Sequence, residues 1–290
     1  MKKVTVLLLG LALLGFGCDS ASTDGAGGSG GTGTQDVTIS FAAMVGDAEF
    51  VCGGTYEGLG SDNSTLTLSD FRFYVQDVEL KDANDDWVPV TLATSAENKF
   101  QLDQVVLLDF EDRCAGNEAG NPELNDMVVG TVPEGEYNGL RFAMGVPVEL
   151  NHADASTAPG PLGVVAMFWT WRGGYKFLRV DSGSFSMEDW RMHLGSTGCG
   201  VGDPTTPPEQ PCTNPNRVAV EFDAFDPGTN RVLADFAALV DGAAIGSNED
   251  GTPIGCMSGL DDPDCAPIFE NLGLAFPGAA DGTQQFFSVE

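Results

Sequence analysis

Short runs of alternating apolar and polar residues, separated by turn residues, constrain this fold more than any other sequence feature. Residues 37–41 and 71–75 have the period of two that is typical of half-buried strands. Further runs of this kind lie at 104–108, 140–146, 166–171, 175–180, 184–193, 218–222 and 286–289. A short helix is predicted at 234–240, and 38 Gly and 16 Pro supply the turns. The pattern predicts an all-β fold, an antiparallel β-sandwich with long loops.

The first 18 residues have the organisation of an export signal. Lys2 and Lys3 precede an apolar run at 4–16 that is too short to cross a bilayer, and Cys18 follows it closely. This arrangement resembles that of bacterial lipoproteins, although Phe16 stands where a small residue is usual. We therefore expect an exported protein of the bacterial cell envelope that is held to the membrane by a lipid on Cys18 alone. Cleavage as a plain signal peptide is the alternative.

The segment 19–35 consists largely of Gly, Ser and Thr. Such a composition buries little apolar surface, so we expect a flexible tether. No second linker and no internal repeat divides residues 36–290. We therefore expect these residues to form a single domain.

The charge of the chain is strongly negative. There are 43 Asp and Glu against 13 Lys and Arg, a formal net charge of −30. Nucleic-acid binding requires clustered cations that replace the counterions of the phosphate backbone. The sequence therefore argues against a nucleic-acid partner, and the acidity is typical of solubility outside the cytoplasm.

Six cysteines remain besides Cys18: Cys52, Cys114, Cys199, Cys212, Cys256 and Cys265. An even number in an exported chain favours disulfides, because the compartment is oxidising. Fifteen pairings are open, and nearest-neighbour closure is our first expectation. A zinc site is the competing interpretation, although no Cys-x-x-Cys pair occurs.

Both histidines, His152 and His193, lie in the segment 150–199, the densest cluster of functional side chains. Imidazole combined with the thioether of Met167 suits copper, whereas oxygen-rich sites suit calcium or magnesium. Asp154 is the expected acceptor of a hydrogen bond from His152. Each residue also has a simpler interpretation, as a loop histidine bonded to its neighbours or a methionine that fills the core.

Trp169 and Trp171 lie two residues apart in a predicted strand, so we expect them to share one face. Taken alone, such a pair is more often packing than chemistry. The two tryptophans acquire a more specific meaning from the longer motifs around them.

Several motifs occur in one order along the chain: Asn151-His152-Ala153-Asp154, Met167-Phe168-Trp169-Thr170-Trp171, Gly173-Gly174-Tyr175-Lys176-Phe177, His193-Leu194-Gly195-Ser196-Thr197-Gly198-Cys199 and Cys256-Met257-Ser258-Gly259. Together they resemble the MbnP-like family, the four-Cys partner of a "metallo-mystery pair". The resemblance covers about 37–275. Long motifs in a fixed order are more specific than any single short pattern.

The resemblance implies an exported copper-binding protein that is paired with a dihaem peroxidase-like enzyme. That enzyme oxidises a tryptophan of its partner to kynurenine, whose aromatic amine can serve as a metal ligand. Carried over by motif, the modified residue is Trp169 or Trp171, and the imidazole ligands are His152 and His193. Gln76 is a departure, because family members have His after Phe-Tyr-Val; the site here is therefore weaker, completed differently or lost.

Three classes of function remain open from the sequence. The first is a binding protein for the acquisition, storage or delivery of copper, which itself catalyses nothing. The second is a copper redox enzyme, although no acid/base pair can be singled out among so many carboxylates. The third is a structural or adhesive β-sandwich in which the Trp and His residues only pack.

Overall fold

The structure is a computed structural model, and it describes residues 33–95, 98–114, 117, 120–183, 189–279 and 282–290. The chain divides into two units, 1–31 and 32–290, and all described residues belong to the second. The predicted export signal, the Cys18 lipidation site and the tether up to residue 32 lie outside the described residues.

Strands dominate the described part of the chain: β1 (Thr34–Val45), β2 (Ala48–Glu49), β3 (Thr55–Leu59), β4 (Ser64–Asp82), β5 (Trp87–Pro89), β6 (Thr91–Leu92), β7 (Gln101–Leu102), β8 (Val105–Asp109), β9 (Met127–Pro133), β10 (Tyr137–Met144), β11 (Phe168–Thr170), β12 (Gly174–Ser182), β13 (Arg191–Gly195), β14 (Val218–Phe222), β15 (Arg231–Asp235) and β16 (Phe287–Val289). The helical elements are short: η1 (Gly160–Gly163), η2 (Val165–Met167), α1 (Phe236–Leu239), η3 (Pro263–Cys265) and α2 (Ala266–Asn271), where η marks a 3₁₀ helix. The predicted all-β class is confirmed.

The strands form two sheets. The smaller has the order β16-β15-β1-β9-β6, with β2 paired to β1. The larger has the order β11-β12-β4-β10-β14, with β13 on β12, β3, β5 and β8 on β4, and β7 on β8. The 19-residue β4 is the spine of the larger sheet. The predicted antiparallel sandwich is confirmed, and among the described strands one pair, β1 with β15, is parallel.

Aromatic rings fill the space between the two sheets. Phe41 of β1 and Phe287 of β16 come from the smaller sheet, while Phe73 of β4 and Phe142 of β10 come from the larger. Phe41 lies 5.6 Å from Phe142, and Phe73 lies 5.5 Å from Phe287, both edge to face. This geometry contributes about 0.5–1.5 kcal/mol per pair beyond the burial of apolar surface.

Some boundaries differ from the sequence expectation. The helix expected at 234–240 is the single turn α1, and α2 was not predicted. The strand expected at 166–171 begins as the 3₁₀ turn η2 and ends at Thr170. The strand expected at 184–193 starts at Arg191, and residues 184–188 are outside the described range.

The three disulfides join nearest neighbours, as expected: Cys52 with Cys114, Cys199 with Cys212, and Cys256 with Cys265. Each closes a loop of a chain that is rich in turns, and such closure stabilises a fold by roughly 2–4 kcal/mol. Structural disulfides are typical of exported proteins in an oxidising compartment. Across the described ranges, no helix is both long enough and apolar enough to cross a membrane.

Candidate metal centre

The hairpin of β11 and β12 positions most of the residues that the sequence singled out. β12 lies between β4 and β13 in the larger sheet and is buried along its whole length. The loop that carries His152 packs on the start of β12, where Asn151 accepts a hydrogen bond from the Tyr175 backbone N–H at 3.1 Å. Gly174 permits this approach, because its φ is +77° and a Cβ there would lie 2.5 Å from the Asn151 carbonyl oxygen.

His152 is half-buried, and its hydrogen bonds fix its tautomer. Nδ1 lies 2.9 Å from the carbonyl oxygen of Trp171, which only accepts, so Nδ1 carries the proton. Nε2 therefore presents its lone pair, 3.3 Å from the Asn151 side-chain amide and 3.5 Å from Cys212 Sγ. Burial lowers the pKa of His152 below its usual value, and Arg217 and Arg172 lower it further against the hydrogen bond to Trp171. A neutral imidazole with an unprotonated Nε2 is the form that binds metal ions.

Asp154 has partners other than His152. Its carboxylate accepts from the Ser156 backbone at 3.0 Å and from the Thr157 hydroxyl at 3.1 Å, closing a turn. These hydrogen bonds lower the pKa of Asp154. The expected pairing of Asp154 with His152 is therefore corrected: the Trp171 carbonyl orients the ring, because the loop turns the carboxylate toward its own backbone.

Trp169 is the residue of the hairpin that contacts β13. The six-membered ring of its indole lies against Gly195, where a Cβ would come within 2.5 Å of the ring. Gly195 is two residues beyond His193 on β13, so the two positions lie on the same side of the strand. The indole of Trp169 thus packs on β13 two residues from the buried His193.

Trp171 lies beyond the end of β11, in the turn that leads to β12. The expectation that Trp169 and Trp171 share a strand face was therefore wrong, since the strand ends between them. The described contact of Trp171 with the site is its backbone carbonyl on His152. The two tryptophans thus have different environments, which the sequence alone did not distinguish.

His193 is buried on β13, where its Nε2 lies 2.7 Å from Asp181 Oδ1. Burial lowers the pKa of His193, which outweighs the effect of the carboxylate. Burial alone raises the pKa of Asp181, but the hydrogen bond from His193 and the charge of Arg179 bring it below its usual value. The pair is thus a neutral imidazole and an ionised carboxylate, with Nε2–H donating to Asp181. Asp181 holds His193 as Asp154 was expected to hold His152.

A buried ion network extends from Asp181 across β12 and β4. Arg179 Nε lies 2.6 Å from Asp181 and 3.3 Å from Asp70. Asp70 pairs with Arg72, whose Nη1 lies 3.2 Å from Glu111. The sequence analysis missed this network, although alternation along 70–72 and 179–181 places these charged residues on one face of neighbouring strands. Such buried charges are tolerated only as mutually bonded groups.

Two further ionisable groups lie close to the network. Burial raises the pKa of Asp109 to about 7, against the charge of Arg72. Burial also lowers the pKa of Lys176 to about 8, with a further contribution from Arg179, while its Nζ donates to the Ala166 carbonyl at 2.6 Å. The pKa values of Asp109 and Lys176 therefore lie close to neutral pH, whereas the pKa of Asp181 is held below its usual range.

Met167 and Gln76 are the other two positions that the sequence connected with the metal site, and both are buried. Met167 is fully buried in the hydrophobic core, and its role as a metal ligand stays a prediction. Gln76, which was expected to be a departure from the family motif, is also buried; its amide nitrogen donates to Asp77 at 3.0 Å. Its Oε1 is one of the few buried polar atoms in the described residues without a hydrogen-bond partner. That oxygen is a weaker copper ligand than imidazole.

The donor set fits copper on chemical grounds, with two neutral imidazoles as its strongest ligands. His152 presents Nε2 to a cavity of about 260 Å³ that Ser196, Cys212 and Arg217 also line. For His193, Nε2 is hydrogen-bonded to Asp181, so Nδ1 is the ring nitrogen that could bind a metal ion. In the described residues, the two rings share no hydrogen-bond partner. Their convergence on one ion stays a prediction.

The fold and this site define a class: a disulfide-bonded β-sandwich with its histidines set around a tryptophan-bearing hairpin. The MbnP family model matches residues 34–258. Among solved structures, MbnP from Methylosinus trichosporium is 34% identical, with a TM-score of 0.75 over 89% of this chain and 99% of that one. No curated protein sequence matches the chain. The chain belongs to the MbnP family, which confirms the resemblance stated above.

Proposed function

We propose that this protein binds copper in the cell envelope, for acquisition, storage or delivery, and is not itself a catalyst. Family membership and the donor chemistry of His152 and His193 support the proposal. The observation that carries it is the arrangement of the β11–β12 hairpin. Its Trp171 carbonyl orients His152, and its Trp169 indole packs against the strand that carries His193.

In this proposal the imidazoles bind the ion through His152 Nε2 and His193 Nδ1. Both rings are neutral at pH 7, because burial lowers both pKa values. Asp181 fixes the tautomer of His193 and raises its basicity as a ligand, as carboxylate partners of metal-bound histidines commonly do. In this proposal Met167 is a core residue and not a ligand, since its side chain belongs to the hydrophobic cluster.

The further ligand is a kynurenine made from Trp169 by a dihaem peroxidase-like partner. Of the two candidate tryptophans, Trp169 has its ring beside the His193 strand, whereas Trp171 contributes a backbone carbonyl. Ring opening adds one oxygen, removes one carbon and leaves an aromatic amine on the side chain. That amine lies near the two imidazoles in this proposal.

Export by the N-terminal segment and a lipid on Cys18 place the protein at the membrane surface in the same proposal. The three disulfides support export, since structural disulfides are typical of oxidising compartments and rare in the cytosol. N-terminal mass analysis of native protein tests the anchor. An unmodified N-terminus at another residue would refute the lipid while leaving export intact.

The test of copper binding is a competition titration on protein made together with its peroxidase partner. We expect His152→Ala and His193→Ala each to weaken copper binding at least tenfold, since each removes one ligand. Met167→Leu, a volume-conserving change in the core, is the matched control and should bind like the unchanged protein. Unchanged affinity in the His152→Ala, His193→Ala double variant would refute the site and favour a purely structural β-sandwich.

A further inference from the structure

The disulfide between Cys199 and Cys212 differs from the other two because an imidazole faces it. His152 Nε2 lies 3.5 Å from Cys212 Sγ. The ligand atoms of His152, Cys199 and Cys212 all lie within 4.8 Å of one another. Because Nδ1 of His152 is bound to the Trp171 carbonyl, the atom that faces the sulfur carries a lone pair and no proton. An imidazole and two sulfurs are thus already gathered around one point.

Two arginines lie close to this disulfide in a chain of net charge −30, and Glu209 also lines the adjoining cavity. Arg172 Nη1 donates to the carbonyl oxygen of Cys199 at 3.3 Å. Arg217 lines the same cavity as His152 and Cys212. Nearby cations stabilise thiolates, which are the metal-binding form of cysteine.

The same disulfide is also accessible. Both of its cysteines are half-buried, and the segment between them is mostly exposed. Cys256 and Cys265, in contrast, are fully buried. A small dithiol can therefore reach Cys199–Cys212 through the cavity, while the Cys256–Cys265 disulfide is shielded by the core.

We propose that reduction of the Cys199–Cys212 disulfide creates a binding site for a soft metal ion. The reduced site binds Cu(I) through Cys199, Cys212 and His152 Nε2. A dithiol reductant supplies two electrons and two protons: the S–S bond breaks, two thiols form, and the dithiol is oxidised to its own disulfide. Binding of Cu(I) then displaces the two thiol protons. Thiolate and imidazole are ligands that Cu(I) favours.

This site differs from the kynurenine-containing site in its cysteine ligands but shares His152 with it, so the two have to be tested separately. The experiment therefore uses protein made without the peroxidase partner, in a Trp169→Phe background, so that the site proposed above is absent. Cu(I) is titrated without oxygen against a chromophoric chelator, before and after mild dithiol treatment. Alkylation and peptide mass analysis identify which cysteines were reduced.

We expect dithiol treatment to free Cys199 and Cys212 and to add one equivalent of tightly bound Cu(I) per chain. The added equivalent should disappear in Cys199→Ser/Cys212→Ser and weaken at least tenfold in His152→Ala. Reduction without added binding, or added binding that survives in Cys199→Ser/Cys212→Ser, would overturn the proposal. Added binding unaffected by His152→Ala would also overturn it, because the histidine would then play no part.

A second variant avoids the reductant in case reduction unfolds the chain. Cys199→Ser leaves a Cys212 thiol beside His152 in otherwise oxidised protein. We expect it to bind Cu(I) more tightly than the unchanged oxidised chain and to lose this gain when His152→Ala is added. No gain of binding in Cys199→Ser would contradict the proposed site.

Discussion

The indole of Trp169 occupies the space that a side chain at Gly195 would need. A Cβ at Gly195 would lie 2.5 Å from the six-membered ring of Trp169 and 2.8 Å from the Tyr175 carbonyl oxygen. The contact links the hairpin that carries the tryptophans to the strand that carries His193. Glycine at position 195 leaves room for the indole of Trp169, and the copper proposal depends on this packing.

Gly195→Ala should therefore displace Trp169. Overpacking of this kind costs roughly 1–3 kcal/mol, and we expect a loss of unfolding free energy in that range by urea denaturation. Copper binding by peroxidase-treated protein should weaken with it. Gly135→Ala is the matched control, because the nearest atom to its Cβ is 3.9 Å away. Equal effects of the two substitutions would contradict the close packing of Trp169 on β13.

Asp181→Asn should be strongly destabilising, because it leaves the charge of Arg179 without one of its two buried carboxylates. Removing one partner of a buried ion pair typically costs about 3–5 kcal/mol. The amide also loses the preference for a proton on His193 Nε2, so copper binding should weaken as well. Urea denaturation and a copper titration measure the two effects separately.

The control for this change is Asp223→Asn, which removes the exposed partner of Lys81. Surface ion pairs are screened by water and contribute little. We expect this variant to resemble the unchanged protein in both measurements. A loss of stability in Asp223→Asn as large as in Asp181→Asn would contradict the importance of the buried network.

Asp109 should make the protein less stable as the pH rises from about 4 to about 7. Its pKa is raised from 3.8 to about 7, chiefly by burial. In that window the unfolded chain has lost the proton and the native chain retains it, so the free energy of unfolding falls with rising pH. A pKa difference of about three between the native and unfolded chain corresponds to a change of at most about 4 kcal/mol in unfolding free energy.

Asp109→Asn should remove this dependence. The difference in unfolding free energy between the variant and the unchanged protein, measured at pH 4.5 and pH 7.5, isolates the contribution of the carboxyl group. A difference that does not change between the two pH values would show that Asp109 does not titrate in this window.

His193 should have the opposite dependence in acid. Burial lowers its native pKa below the unfolded value of 6.5, so the unfolded chain takes up the proton first as the pH falls. Unfolding free energy is then lost below about pH 6.5, and His193→Gln should reduce that slope. If the unfolding free energies of the two proteins change equally between pH 7 and pH 5, a buried neutral imidazole at His193 is contradicted.

The sequence predicted the all-β class, because strand alternation is a local signal. It predicted the disulfide pairs from nearest-neighbour order, which is a local signal for the pairs 13 and 9 residues apart but not for Cys52 and Cys114, which are 62 residues apart. It did not predict the parallel pairing of β1 with β15, which depends on contacts between distant segments. Within the site, it located His152 and His193 but assigned a carboxylate partner to the wrong one. Asp154 is near His152 in sequence, whereas Asp181 reaches His193 only through the pairing of β12 with β13.

The different environments of Trp169 and Trp171 also could not be predicted from the sequence. Strict alternation places both on one face, but β11 ends at Thr170, and the turn reorients the second tryptophan. The buried network of Asp70, Arg72, Arg179 and Asp181 was present as alternating charges in two runs. Its burial depends on what covers the sheet, which no local pattern encodes.

In the proposed site, Trp169 becomes a metal-binding kynurenine beside His193. The most direct measurement is peptide mass spectrometry with fragmentation across Trp169-Thr170-Trp171, on protein made together with its dihaem peroxidase-like partner. We expect one oxygen to be gained and one carbon to be lost at Trp169, while Trp171 is unchanged. An unmodified Trp169, or the same mass change at Trp171 instead, would contradict it.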